Sequence, residues 1–307
     1  MKRAVNCGLV KADNMKQAIL LLSFGTPRQP SDLLPYLTSI RRGKIPTERE
    51  LKVLTARYDA IGQWDNKLLQ TMGEEQKKTL KSLLAIDAMY LAYLHMPNSM
   101  EQAIESIATA GYTSILCIVT SPFYSMVGTG AYERKLHSIL RAYPDISCEI
   151  IKSWWNRPQF FEYWRSQLMA VNPLQADTAC IFSAHSVPTS TVGSYEDEVM
   201  SASNQIAKMV GLNHWYQAWQ SAAPHGEWLG PIIESVIEQA LIDGAKRIVC
   251  IPFGFVSDHV EILYDNDIIC RNIVENAGAT YERLPMPNGN TLFMEAMAKA
   301  IRERINK

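Results

Sequence analysis

The run KRIVCIPFGFVSDHVEILYDND, residues 246–267, decides the fold class. It opens on a β-branched apolar strand, breaks at Pro252 and Gly254, and resumes near Ser257 with the apolar spacing of a helix. A strand that turns tightly into a helix is the repeating unit of a parallel α/β sheet. The same change of period recurs along the chain. QAILLLS (17–23), DAMYLAY (87–93), SILCIVT (114–120) and TACIFSA (178–184) read as further strands, with weaker candidates at CEIIKS and HWYQAWQ. Between them lie helical patterns: SDLLPYLTSIRR, ERELKVLTARYDAI, EEQKKTLKSLL, MEQAIESIATA, YEDEVMSASNQIAKMV and PIIESVIEQALIDG. Near-continuous apolar strands alternating with amphipathic helices predict the α/β class, with parallel, doubly wound sheets covered on both faces.

Two echoes indicate that the sheet system is doubled. LLSFGTP after the first strand is answered by IFSAHSVP in the second half, and IVTSPFYS is answered by VCIPFGFVS. Each is a strand end running into a proline-marked loop, and the join falls near VNPLQAD (171–177). In open α/β sheets ligands sit outside the carboxyl ends of the strands. These four loops are therefore expected to line one site, bringing Phe24, Phe123, His185 and residues 253–261 near one another.

Length and composition set bounds. A chain of 307 residues is long enough for two modest lobes around a cleft. A net charge of -1 provides no global field for nucleic acid or an anionic bilayer, so any anion site must be local. No apolar run approaches the roughly 18 residues of a membrane span. Residues 1–14 read as a flexible tail, with Met15 an alternative start. The six cysteines are scattered without a CxxC pair, the pattern of reduced, buried thiols in a cytoplasmic protein.

His185 follows a strand directly, where it is either a hydrogen-bonded loop residue or a group that takes a proton or binds a metal, as a neutral imidazole does near neutral pH. Glu261 lies early in the following helix, flanked by Val260, Ile262 and Leu263; the helix dipole favours a carboxylate there, but burying one without a role is costly. Ser257 or Asp258 reads as an ordinary N-cap, His259 as structural, and Asp265 and Asp267 as a solvated edge or a secondary cation site. The loop WQSAAPHGEWLGP (219–231) is either a packed connection or a set of edge contacts for a flat aromatic ligand, Trp228 among them. Arg41 and Arg42, beside Gly43 at a helix end, stand out from a basic set that also holds Arg57; such charges are either solvated helix faces or partners for substrate carboxylates. No phosphate loop, dinucleotide fingerprint, HExxH or GxSxG is present.

These residues carry a family resemblance. FGTP (24–27), FSAHSVP (182–188), WQS (219–221), WLGP (228–231) and FGFVSDHVEILYDND together resemble ferrochelatases over nearly the whole length from residue 15, and IRRGK followed by RYDAIG looks most like the small coproporphyrin III enzymes of Gram-positive bacteria. The resemblance implies Fe(II) insertion into a porphyrin for heme biosynthesis, with coproporphyrin III favoured and protoporphyrin IX second. It implies a chelatase-like fold: a first lobe over 15–150, a second over 151–284, and a C-terminal helix at about 285–307 packing back on the first. It makes His185 and Glu261 the catalytic and metal-contacting pair on opposite sides of the cleft. Phe24, Arg41, Arg42, Arg57, Phe123, Tyr132 and Trp228 become substrate contacts. The partners implied are the porphyrin, ferrous iron and other enzymes of the heme pathway, with no nucleic acid and no integral membrane association. No cofactor is implied beyond the substrate iron, and with no C-terminal cysteine cluster an iron-sulfur cluster is not expected.

The chain departs from the family pattern at several points. Phe24 stands where relatives have a tyrosine and Phe123 where many have a histidine. GQWDNKL (62–68) replaces a GGxSPL loop, and AAPHGE fills the segment between WQS and WLGP. The alternatives are a chelatase for another divalent metal, since histidine and carboxylate do not select iron by themselves, and a catalytically weak tetrapyrrole-binding or transfer protein.

Overall fold

The computed structural model describes residues 16–64, 68–223 and 225–306. The expected tail, Met15, Cys7, residues 65–67 of the GQWDNKL loop and Pro224 lie outside the described residues. Two four-stranded, wholly parallel sheets carry the fold. The first comprises β1 (Gln17–Ser23), β2 (Met89–Tyr93), β3 (Ser114–Val119) and β4 (Ser147–Ile151) in the order β2-β1-β3-β4. The second comprises β5 (Thr178–His185), β6 (Trp215–Gln220), β7 (Arg247–Ile251) and β8 (Thr280–Arg283) in the order β6-β5-β7-β8. The two orders are the same pattern. The echoed loops follow equivalent strands, β1 with β5 and β3 with β7.

Helices fill the crossovers: α1 (Leu33–Ile40), α2 (Glu48–Ala60), α3 (Leu68–Leu84), α4 (Ser99–Thr109) and α5 (Thr129–Leu140) in the first half, then α6 (Pro158–Ala170), α7 (Tyr195–Val210), α8 (Ile233–Ile242), α9 (Arg271–Asn276) and α10 (Thr291–Ile305). Local chemistry sets several ends. At α2 the Thr47 hydroxyl accepts the Glu50 N–H and the Glu50 carboxylate accepts the Thr47 N–H, a reciprocal cap of the kind whose loss costs about 1 kcal/mol. α7 stops at Gly211, whose φ of 81° is left-handed.

The strands bury both faces, so alternate residues feed different clusters. On the first sheet Leu20, Leu22, Cys117 and Val119 pack outward on Ile104, Ile107 and Leu136 of α4 and α5. On the second, Ile181, Ile248 and Cys250 pack outward on Ile233, Ile237 and Val274. The opposite faces meet in one continuous core: Leu21, Ile118 and Ile151 share it with Phe182, Val249 and Ile251. Between them lies an aromatic group in which Phe160, Trp154, Tyr163 and Trp164 surround Phe293 of α10, at ring-centroid separations of 5.2 to 6.3 Å. Among the described residues no helix is long and apolar enough to cross a membrane.

The helix expected after Ser257 is a π-helix, Glu261–Cys270, continued by α9. Neither Ser257 nor Asp258 caps it, which corrects that expectation. The Ser257 hydroxyl accepts from Gln76, while Asp258 exchanges hydrogen bonds with Asn288 and pairs with Arg283 at 3.2 Å. Among the described cysteines all are free, and Cys148 alone is only partly buried.

Candidate active site

Strand β5 ends on His185 and the π-helix begins on Glu261, and their side chains meet with Nε2 and Oε1 3.5 Å apart. Both remain about one-third open to solvent. Glycine makes the approach of the two segments possible. A Cβ on Gly254 would lie 2.5 Å from the Ala184 Cβ and 2.7 Å from its Cα, so only glycine lets the β7 loop pass beside the end of β5. The Gly254 N–H there donates to the Ser183 carbonyl at 3.1 Å. Behind His185, the Tyr195 hydroxyl donates to its main-chain carbonyl at 3.0 Å.

The electrostatics of the pair differ from the sequence expectation of a neutral base. Burial opposes charging of His185, but the Glu261 charge and hydrogen bond, then the Ser186 carbonyl and Asp265, outweigh it and raise the imidazole to about 9. Burial likewise opposes the charge on Glu261, yet His185, then His259 and Arg57, bring its carboxyl down to about 2. The two shifts favour an imidazolium beside a carboxylate in the free protein, where the sequence reading took a neutral imidazole. His259 is the neutral histidine of the group: burial lowers it, its Nδ1 accepts the Ile262 N–H at 3.2 Å, and its ring packs edge-on against Phe255 at 5.0 Å.

Asp265 and Asp267 are not a solvated edge. Asp265 is 7 % exposed, accepts from the Ser221 hydroxyl at 2.9 Å and faces Arg57 at 3.4 Å. Burial, against Arg57 and with the Glu261 charge, raises it to about 6. Asp267 is held by Arg283 through two bonds of 2.6 and 2.8 Å.

The other sequence candidates fall into three groups. Arg57 joins the site: besides Asp265, its guanidinium stacks 5.0 Å over the Tyr264 ring of the π-helix. Phe24, Arg41, Arg42 and Trp228 lie on the surrounding surface. Phe24 is 44 % exposed and packs edge-on against His95 at 4.4 Å; Arg41 is paired with Glu50. Arg42 is exposed at the end of α1, and Trp228 lies partly exposed in a loop stitched to the segment after His185 by Leu229 N–H to Val187 O at 3.0 Å. Phe123 and Tyr132, expected as substrate contacts, are both buried. Phe123 stacks on Trp155 and packs on Phe253 in the inter-sheet core, and Tyr132 sits among Leu20, Ile104 and Val119 on the far face of the first sheet. An apolar ring at a parallel-sheet end is drawn into the core when a neighbouring aromatic cluster is there to receive it.

Sequence reasoning passed over Gln220 and Asn266, both buried beside the pair, and the buried Tyr36 of α1 and Tyr58 of α2. Burial, then each other, then the Glu261 charge push the Tyr36 hydroxyl up, while burial raises Tyr58 to about 12 with Glu261 as a lesser cause. The available signal was a glutamine ending a strand on the same face as buried residues.

Two doubly wound parallel sheets have the form of a chelatase-type fold, and the histidine and carboxylate, expected on opposite sides of a cleft, meet instead at the carboxyl end of the second sheet. The sirohydrochlorin chelatase SirB from Bacillus subtilis subspecies spizizenii, solved in complex with cobalt, superposes with a TM-score of 0.61 at 10% identity, covering 94% of this chain and 95% of that one. CbiX, the terminal enzyme for biosynthesis of siroheme in denitrifying bacteria, superposes at 0.54 and 12% identity, covering 93% and 98%. The chain belongs to the ferrochelatase family, whose model matches residues 16–305. It is 32% identical over 302 residues to the coproporphyrin III ferrochelatase of Geobacillus kaustophilus, covering 93% of this chain and 95% of that protein. It is 31% identical over 303 residues to the enzyme of the same name from Staphylococcus aureus strain N315, covering 94% and 98%.

Proposed function

We propose that this ferrochelatase inserts Fe(II) into coproporphyrin III, with His185 and Glu261 as the reacting pair. The observation that carries the reading is the 3.5 Å separation of the two side chains, both still open to solvent, at the junction of β5 and the π-helix. Insertion replaces two pyrrole N–H protons by one Fe(II), so two protons must leave for each metal that enters. The pair supplies one nitrogen and one oxygen donor, a set that suits a divalent first-row metal. It also starts with one proton already between its members. An arriving dication takes Glu261 as its ligand and repels the imidazolium, whose Nε2 proton leaves to the solvent that reaches its open face; the neutral Nε2 then accepts one pyrrole proton at a time and releases it the same way. Asp265, raised to about 6, takes and releases protons near neutral pH and stands next in line along the π-helix. Arg57, Arg41 and Arg42 are the candidate partners for propionates at the rim; of these Arg57 is paired with Asp265 and Arg41 with Glu50 until a substrate carboxylate competes for them. Phe24 supplies an exposed apolar face for the macrocycle.

The test is anaerobic absorbance with Fe(II) and either coproporphyrin III or protoporphyrin IX, beside His185→Ala and Glu261→Ala. The expected result is faster turnover of coproporphyrin III, reduced about a hundredfold or more in both variants. Tight porphyrin binding with no insertion of iron, cobalt or zinc would overturn the reading and leave a tetrapyrrole carrier on the same fold.

A further inference from the structure

Gln220 closes β6, and its carboxamide is shut away from solvent. It is 1 % exposed, and Ser183 and Asn266, its two neighbours, are fully buried. The Gln220 Oε1 accepts from the Ser183 hydroxyl at 2.9 Å and from Asn266 Nδ2 at 3.1 Å. Its Nε2 donates to the main-chain carbonyl of Glu261 at 3.3 Å. Its own main-chain carbonyl accepts the Ser186 N–H at 2.8 Å, in the register that sets Gln220 opposite His185. One residue thus grips the backbone beside His185 with its main chain and that of Glu261 with its side chain. The amide orientation is fixed by its partners: turned over, its NH2 would face the Asn266 NH2 and its oxygen the Glu261 carbonyl.

We infer that Gln220 is a positioning residue, which sets the separation of His185 and Glu261 by holding the start of the π-helix against the end of β5. The inference rests on the reading of those two side chains as the reacting pair. An apolar side chain of equal bulk would fill the space but leave the Ser183 hydroxyl, the Asn266 amide and the Glu261 carbonyl without this partner. Each buried donor so orphaned, the Ser183 hydroxyl and the Asn266 amide, costs about 1–3 kcal/mol, the Glu261 carbonyl keeps only its bond within the π-helix, and the relief available is for that helix to draw back toward water. A shift of about 1 Å at reacting groups is enough to lower a rate about a hundredfold.

The experiment compares Gln220→Met and Gln220→Asn with Ser203→Ala, a loss of a buried hydroxyl on α7. Steady-state iron insertion is measured together with the His185 ring resonance in the substrate-free protein at one fixed pH. Both Gln220 variants are expected to lose about tenfold or more in kcat, with KM for the porphyrin changed less than about threefold, and to shift the His185 resonance. Ser203→Ala is expected to match the parent in both. If Gln220→Met does not fold, Gln220→Asn decides, since it keeps an amide in the site but is one methylene short of the Glu261 carbonyl. Folded variants with parental kcat and a parental His185 resonance would overturn the inference. If the parent protein itself inserts no iron, the proposed function falls, while the resonance comparison still decides the role of Gln220.

Discussion

A histidine and a glutamate 3.5 Å apart leave a signature in stability as well as in catalysis. The His185 pKa rises from 6.5 to about 9, so its contribution is complete below 6.5 and is lost as pH climbs through 9. The Glu261 pKa falls from 4.5 to about 2, so its contribution is complete above 4.5 and is lost as pH drops through 2. The pair therefore stabilises the fold fully between 4.5 and 6.5 and progressively less on either side. Urea midpoints of the parent and Glu261→Gln, measured against pH, should be separated most within that window and converge toward pH 9. A separation that grew above neutrality would contradict the assignment of an ion pair. None of this was legible in sequence. The strand end before His185 and the apolar setting of Glu261 are local patterns, whereas the proton that the two share depends on an approach across the fold. The same holds for Asp265, whose partners Ser221 and Arg57 come from other segments.

At the scale of elements, the junction of β5, β6 and the π-helix depends on small groups in tight places. Gly254 is required by space: its φ is not left-handed, but a Cβ would overlap both the Cβ and the Cα of Ala184. Gly254→Ala should cost about 1–3 kcal/mol, because the obstruction is partly backbone and cannot rotate away. It should also lower iron insertion, since the displaced strand end carries His185. Denaturant midpoints and turnover measured together check this, and a variant with both values unchanged would show that the β7 loop yields without moving the pair. The elements themselves were largely readable: β1 and α7 span 17–23 and 195–210, the ranges that their sequence patterns mark. What periodicity could not give is the π-helix. EILYDNDIIC buries Asp265 and Asn266 along with Ile262 and Cys270, so its side chains mark neither winding, and the difference lies in backbone hydrogen bonds made to the fifth residue instead of the fourth. Strand β8 and helix α9 were missed as too brief to establish a period, and helices α5 and α6, of 12 and 13 residues, were not read either.

On the scale of the whole molecule, the repeated strand order β2-β1-β3-β4 and β6-β5-β7-β8 accounts for the echoed motifs, each echo marking an equivalent strand end. The two sheets do not unfold as separate bodies if their shared core is the main source of stability. Phe293 of α10 is fully buried among aromatic residues of that core. Phe293→Ala should cost about 3–5 kcal/mol and lower near-UV and far-UV transitions together. Two separated transitions in the parent protein would show instead that each sheet stands alone. The continuity of this core reaches beyond stability. Hinged enzymes admit their substrates by swinging two rigid bodies apart, with a few loop residues absorbing the motion. Here the seam between the sheets is filled by interlocked rings, and prising it open would expose them to water. Opening the molecule as a hinge along this seam would carry that cost, whereas the side chains of His185 and Glu261 are already part-open to solvent with the seam shut.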